Sequence, residues 1–555
     1  MSKVAESKVA EFLEKRNRQH TKEAELQKTK LPPLPAAPKR MPKATDADAV
    51  VGSAKGEHKR LSDAIAAVKP GGVIHVTPGL HPAGEAVETD KPFQIVGEGA
   101  QLSAVLFRPD RDTFLALKGK SLWKLEAVAI LCERKEGACC DLVELDQGAA
   151  IEISGCVLAG ALAVSSGELT TGGLAVRACN GGKASISGSL LAFNRWNVGA
   201  HDGAAITLER CHLFGAEFGA FVGESSELTF TGGELRRNQF GLKAYGEGGS
   251  IVARDVKIVD QTMTGVYIEK GRVQLESCRI IDNGTHGVGA EPGTEIVARQ
   301  NQVDDNWECG FWIEGEAQLV ENSIKDNSDH GIMLTKTSTG RVTGNSCEQN
   351  GGFGIVWDPA SRVERHSNET DSNGREEEYE LGTLEREVQA GLPQGVSLPE
   401  SISKLARYQE ANGRLAGETM YVCAGPLAGW PGLEQEFAVF GNGPDGSSIA
   451  FWLHDALPID KSPIVYLDSE GVENLVIAQS MDEFLSILAR GPEELRHGDA
   501  IEPDRDEDDE EELERLGEWL DEVFGVKPAK SIDEIRRAAE KAHPGLEERL
   551  ETARK

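Results

Sequence analysis

The chain has 555 residues, a formal net charge of −32, 62 glycines and only 6% aromatic residues. That length exceeds one ordinary core, so two or more units are expected. The charge argues against nucleic acid or an anionic membrane as a partner, since both need a basic counter-surface, and no run of 18 apolar residues offers a membrane-spanning helix.

Residues 1–45 read as a basic, Pro-rich, partly disordered arm. Eleven Lys/Arg stand against five Asp/Glu in residues 1–43. Ala5, Val9, Phe12 and Leu13 have helical spacing, so one short amphipathic helix is expected, and KLPPLPAAPKRMPK follows as a linker. The arm is either solvated or a docking peptide for a partner. The charged N-terminus lacks the apolar region of a signal peptide, which predicts a cytoplasmic protein. The ten cysteines have no C-x-x-C spacing, and Cys156, Cys211 and Cys278 fall on predicted strands as packed thiols.

Residues 55–365 form the main body. A capping helix with Leu61, Ala64, Ile65 and Val68 on one face opens it. A repeat then emerges at Gly199, Gly219, Gly241, Gly265, Gly287, Gly310, Gly331 and Gly354, with a mean step of about 22 residues. Asn283, Asn306, Asn327 and Asn350 mark a corner upstream of each later Gly. Stacked coils lie about 4.8 Å apart, so like residues form ladders and the Asn amides bond along one. Gly287 and Gly310 are expected to resist larger residues as turn positions. The pattern resembles the right-handed parallel β-helix of pectate-lyase-like proteins. That resemblance implies an all-β solenoid, and it raises the possibility of a carbohydrate-acting enzyme.

Alternation after each Gly assigns two outward rows. One holds His201, Phe221, Lys243, Tyr267, Gly289, Trp312, Met333 and Val356, and the other holds Tyr245, Glu269, Glu291, Glu314, Thr335 and Asp358. The candidate binding residues are Tyr267, Trp312, Glu269, Glu291 and Glu314. The face is either covered by the linker or C-terminal domain, or it is a groove where rings stack on a ligand. No basic residue is expected beside the acidic row, with Lys243 a coil or more away, so no catalytic residue is assigned and an enzyme is not the favoured reading. If there is an activity, it is lyase-, hydrolase- or epimerase-like. His286, Cys309 and His330 share a register with Phe218, Phe240 and Phe353, which marks packing rather than a metal site. No cofactor or metal is expected.

Residues 366–392 read as a charged linker, 393–492 as a small α/β domain, and 493–555 as an acidic segment with C-terminal helices. In the second of these, Ser480 and Glu483 frame a helix bearing Met481, Phe484, Leu485 and Leu488. Leu398-Pro399, Asn412-Gly413, Phe451-Trp452-Leu453, Pro463-Ile464-Val465, Glu470-Gly471 and Phe484-Leu485 give this domain a resemblance to the SUKH superfamily, which includes bacterial immunity proteins. The expectation is therefore a cytoplasmic protein-binding protein of immunity or scaffold type, whose SUKH-like domain engages a toxin or other protein. The alternative is a carbohydrate-binding or polysaccharide-modifying β-helix protein. The sequence leaves the oligomeric state open.

Overall fold

The computed structural model describes residues 8–10, 12–14, 31–36, 47–54, 57–108, 113–133, 140–165, 168–375 and 378–554. The last span has breaks at 413–414, 416–419, 426, 428–429, 431, 455–456, 470–472, 493–494, 497 and 500–506. Most of the arm, Gly413, Glu470, Gly471 and part of the acidic segment thus lie outside the described residues. The chain divides into two compact units, Met1–Glu378 and Tyr379–Lys555.

The first unit is a solenoid of parallel strands. A representative coil runs Val266–Ile268, Arg272–Glu276 and Arg279–Ile281; Val288–Ala290, Glu295–Arg299 and Gln302–Asp304 follow in the next. Each strand pairs in parallel with its counterpart one coil on. Side chains alternate across a strand, so Val266, Ile268, Val273, Leu275 and Ile280 point inward and are at most 1% exposed. Pairing begins at Ala49–Val51, and the helix Leu61–Ala67 buries Leu61, Ala64 and Ile65. It continues through Arg362–His366 and Glu369–Asp371, beyond Asp358-Pro359 where the glycine pattern fades.

The corners explain the Asp-Asn pairs. Asp282, Asp305 and Asp326 adopt φ of 57°, 55° and 54°, a left-handed conformation that Asp tolerates better than most residues. The next residue is turned inward. Asn283, Asn306 and Asn327 each donate through Nδ2 to the Oδ1 of the Asn one coil on, at 2.7, 2.8 and 2.8 Å. Asn350 carries the ladder to Asn373. A second ladder, Asn301–Asn322–Asn345–Asn368, runs in parallel at 2.8, 2.8 and 3.0 Å. Its signal was in the sequence as a second Asn five residues before the first. In earlier coils the thiols of Cys156, Cys211 and Cys278 are buried at this corner, and burial raises them to about 12, 11 and 11. Packed thiols of this kind are poor nucleophiles.

Two register details differ from the sequence reading. Trp196 pairs with Phe218 and Val198 with Ala220, so Asn197, not Gly199, lies opposite Gly219. His201 therefore lies two residues beyond the row that holds Phe221 and Lys243. Gly287 and Gly310 are required for a reason other than turn strain. A Cβ at Gly310 would lie 2.6 Å from Ile324 Cγ2 and 2.8 Å from the Gly331 carbonyl oxygen, and one at Gly287 would meet Val303 and the Gly310 carbonyl oxygen. The constraint is close approach between coils.

One outer face of the early coils is apolar. Ala129, Leu131, Val157, Ala159 and Leu190 cluster there with Val9 and Leu13 of the N-terminal segment, which are 0% and 2% exposed. Strands buried on both faces read as continuous apolar runs, as AVAILC does here.

The second unit is built on a five-stranded antiparallel sheet: Tyr421–Val422, Phe437–Asn442, Ser448–Trp452, Ile464–Leu467 and Leu475–Ala478. One face buries Phe440, Phe451 and Tyr466 in a core with Ile402, Phe484 and Leu520. The other buries Phe437, Trp452 and Val465 with Ala539, Leu546 and Leu550. The helix Met481–Arg490 starts at Ser480, whose hydroxyl accepts from Glu483 N–H. Glu483 in turn accepts from Gln479 N–H at 2.9 Å, one residue earlier than a reciprocal capping box requires.

Candidate functional site

The outward rows lie on the sheet formed by Phe218–Val222, Phe240–Ala244, Val266–Ile268, Val288–Ala290, Phe311–Ile313 and their neighbours. Lys243 stands opposite Tyr267, Tyr267 opposite Gly289, and Gly289 opposite Trp312. Tyr267 and Trp312 are thus two coils apart, about 9.6 Å by strand spacing, with Gly289 between them and the Tyr267 ring leaning over it.

Not all of the row is open. Phe221 is 1% exposed, packed among Trp196, His201 and Tyr245. Met333 and Val356 are also buried, whereas Lys243, Tyr267 and Trp312 are partly exposed. The stretch from Lys243 to Trp312 therefore presents the usable surface.

The acidic row is organised rather than merely repulsive. Tyr267 donates its hydroxyl to Glu291 Oε1 at 2.7 Å. Burial, then the Glu291 carboxylate, push the Tyr267 phenol well above its ordinary value. Glu314 hydrogen-bonds Glu291, and its carboxyl is raised first by burial and then by the Glu291 charge, with Lys336 opposing weakly. A carboxyl group raised in this way keeps its proton to a higher pH than a free glutamate, because ionising it beside a second carboxylate in a partly desolvated site is costly.

A basic residue does stand with the acidic row, contrary to expectation. Lys243 Nζ lies 3.1 Å from Glu269 Oε2. It also sits 5.1, 5.3 and 5.2 Å from the Phe218, Phe240 and Tyr267 ring centroids. Counting positions along the chain missed this, because a lysine stem crosses one coil spacing easily.

Trp312 is held by His286, whose ring stacks on it at 5.0 Å and 26°. His286 Nε2 lies 3.0 Å from Glu308 Oε2, and its Nδ1 accepts from Cys309 N–H at 3.3 Å. His330 Nδ1 likewise accepts from Phe353 N–H at 3.0 Å. Both histidines thus serve packing and backbone contacts. Among the described residues, no group of three or more His, Cys, Asp or Glu side chains is arranged to hold a metal ion, and no helix is long and apolar enough to cross a membrane.

A family described as the right-handed β-helix region matches residues 172–322. The first unit is a right-handed parallel β-helix of the pectate-lyase-like kind, followed by a distinct, smaller, helix-containing C-terminal unit. Among solved structures, the chain is similar to the A-module of mannuronan C-5 epimerase AlgE4 from Azotobacter vinelandii. Identity is 14%, TM-score 0.35, and coverage 57% of this chain and 91% of that one. It is also similar to the periplasmic alginate epimerase AlgG, at 12% identity and TM-score 0.36, covering 56% and 84%. A thermostable α-1,3-glucanase from Streptomyces thermodiastaticus matches at 12% identity and TM-score 0.32, covering 61% and 70%. No curated protein sequence matches the chain significantly.

Four expectations are withdrawn. The structures named are carbohydrate-acting enzymes and none is an immunity protein, so the immunity-type, toxin-engaging, protein-binding reading has no support among them. The preference for a non-enzyme has no support among them either, since the structures named are epimerases and a glucanase. The cytoplasmic expectation is withdrawn with them, as none of the structures named supports it; the AlgG epimerase is described as periplasmic. The SUKH and immunity descriptors, which rested on short motifs, are named by none of these matches.

Proposed function

We propose that the face from Lys243 to Trp312 binds a polysaccharide chain and modifies it, with Glu314 and Glu291 as the proton-transferring pair. One observation carries this reading: the Tyr267 and Trp312 rings stand on one outer face on either side of Gly289, beside a carboxyl pair in which Glu314 is biased toward the protonated form. Aromatic faces stack on the apolar faces of pyranose rings, and carboxyl groups bind hydroxyls and move protons at glycosidic carbons. In the proposed roles Tyr267 and Trp312 seat the sugar, Tyr267 orients Glu291, Glu314 donates the proton, and Lys243 holds Glu269 in place.

The test is a glycan array with the full chain, followed by product analysis on the glycans retained. Trp312→Ala should abolish binding, which in the intact protein is expected between millimolar and micromolar Kd. Glu314→Gln should keep binding and lose turnover. Absence of any retained glycan would sink the reading.

For the second unit we propose a SUKH-like fold within residues 393–492. The helix Glu400–Asn412, the antiparallel strands with buried Phe451 and Trp452, and the helix Met481–Arg490 with buried Phe484 and Leu485 support it. An experimental structure of this unit with a different strand order would refute it.

A further inference from the structure

Trp307 is 65% exposed, the most exposed large apolar side chain among the described residues. An indole left in water offers a large flat apolar face with a polar N–H edge. The backbone beneath it is rigid. Trp307 follows the left-handed Asp305 and the buried ladder residue Asn306, and its N–H donates to the Asn283 carbonyl at 3.0 Å. The equivalent bonds from Gly284, Ser328 and Gly351, to Gln261, Asn306 and Asn327, place these residues at the same position on neighbouring coils. Every equivalent neighbour is small, so the indole rises from a low strip with no bulky equivalent on the next coil to lie against.

The strip adjoins the candidate site. The next residue, Glu308, meets His286 at 3.0 Å, and His286 stacks on Trp312 at 5.0 Å. A polar carboxylate–imidazole pair therefore links the residue next to Trp307, at the corner, to the Trp312 indole on the sheet face. Ring, polar edge, ring is the alternation that a pyranose chain needs, since each sugar offers an apolar face and a rim of hydroxyls.

Resting on the function proposed above, we propose that Trp307 is an outer sugar-binding platform of the same site, seating a pyranose beyond the one at Trp312. The chain it takes is uncharged. Glu269, Glu291 and Glu308 line the surface, and a uronate polymer would meet like charge there. Trp307 thereby sets preference for longer chains rather than the chemistry at Glu314.

The experiment is calorimetric titration of the full chain with disaccharides and hexasaccharides of β-1,4-glucan, β-1,4-N-acetylglucosamine polymer and α-1,3-glucan. Trp307→Ala should weaken hexasaccharide binding about tenfold, as loss of one stacking contact predicts, and change disaccharide binding less than about twofold. Trp307→Phe should restore most of the hexasaccharide affinity, and thermal midpoints should match the wild type. Hexasaccharide binding that survives Trp307→Ala but is lost in Trp312→Ala overturns this inference and leaves the functional reading standing. Loss of self-association in Trp307→Ala with sugar binding unchanged also overturns it, by assigning the indole to a contact between copies. If the wild type binds none of the six oligosaccharides but retains another glycan on the array, this inference falls and the functional reading stands; if it retains none there either, both fall.

Discussion

Glu314 shows how one side chain's environment sets its chemistry. Its carboxyl is raised by burial and by Glu291, so the folded protein holds that proton more tightly than the unfolded chain does. The stability this contributes is complete below the unfolded value and is lost as pH rises through the higher folded one. A glutamine cannot ionise and so escapes the loss. Glu314→Gln should therefore raise the thermal midpoint at about pH 7.5 and leave it nearly unchanged at about pH 4. Scanning calorimetry at the two pH values checks this, and an equal shift at both would show that Glu291 does not couple to it.

At the scale of the element, the two Asn ladders hold the corners. Asn327 Oδ1 accepts from both N–H and Nδ2 of Asn306, while its own Nδ2 donates to Asn350 and to the Val303 carbonyl. Asn327→Ala strands these buried partners. It should cost about 2–4 kcal/mol in urea unfolding, because unsatisfied buried polar groups carry the full desolvation penalty. Asn373→Ala, at the half-buried end of the same ladder, should cost clearly less, since water can replace what is lost. Similar costs at both positions would mean that the ladder is not cooperative along its length.

At the scale of the whole molecule, each unit has its own core, and the second covers its sheet on both faces. A fragment of residues 379–555 should therefore unfold cooperatively on its own. Ending that fragment at residue 525 removes the helices Ile532–Ala542 and Leu546–Arg554, and with them Ala539, Leu546 and Leu550. The shorter fragment should bind a hydrophobic dye through the bared Phe437, Trp452 and Val465. Dye binding by the longer fragment would show that residues 379–555 do not suffice to fold.

What the sequence by itself determined was whatever repeats with the coil. The 22-residue period, the inward Val266, Ile268, Phe311 and Ile313, the ladder from Asn283 to Asn350 and the outward positions of Tyr267, Trp312 and the three glutamates were all legible. Each follows from stacking and period-two alternation, which hold within and between identical units. Only the tertiary structure decided how neighbours across coils meet. The reach of Lys243 to Glu269, the hydrogen bond of Tyr267 to Glu291, the His286 stack on Trp312 and the burial of Phe221 are contacts between residues some 20 or more positions apart. Side-chain length and orientation settle these, not position in the repeat. The first coils show the same limit: Gly199 satisfies the spacing, but backbone pairing places Asn197 opposite Gly219, because hydrogen-bond register follows the strands and not the nearest glycine.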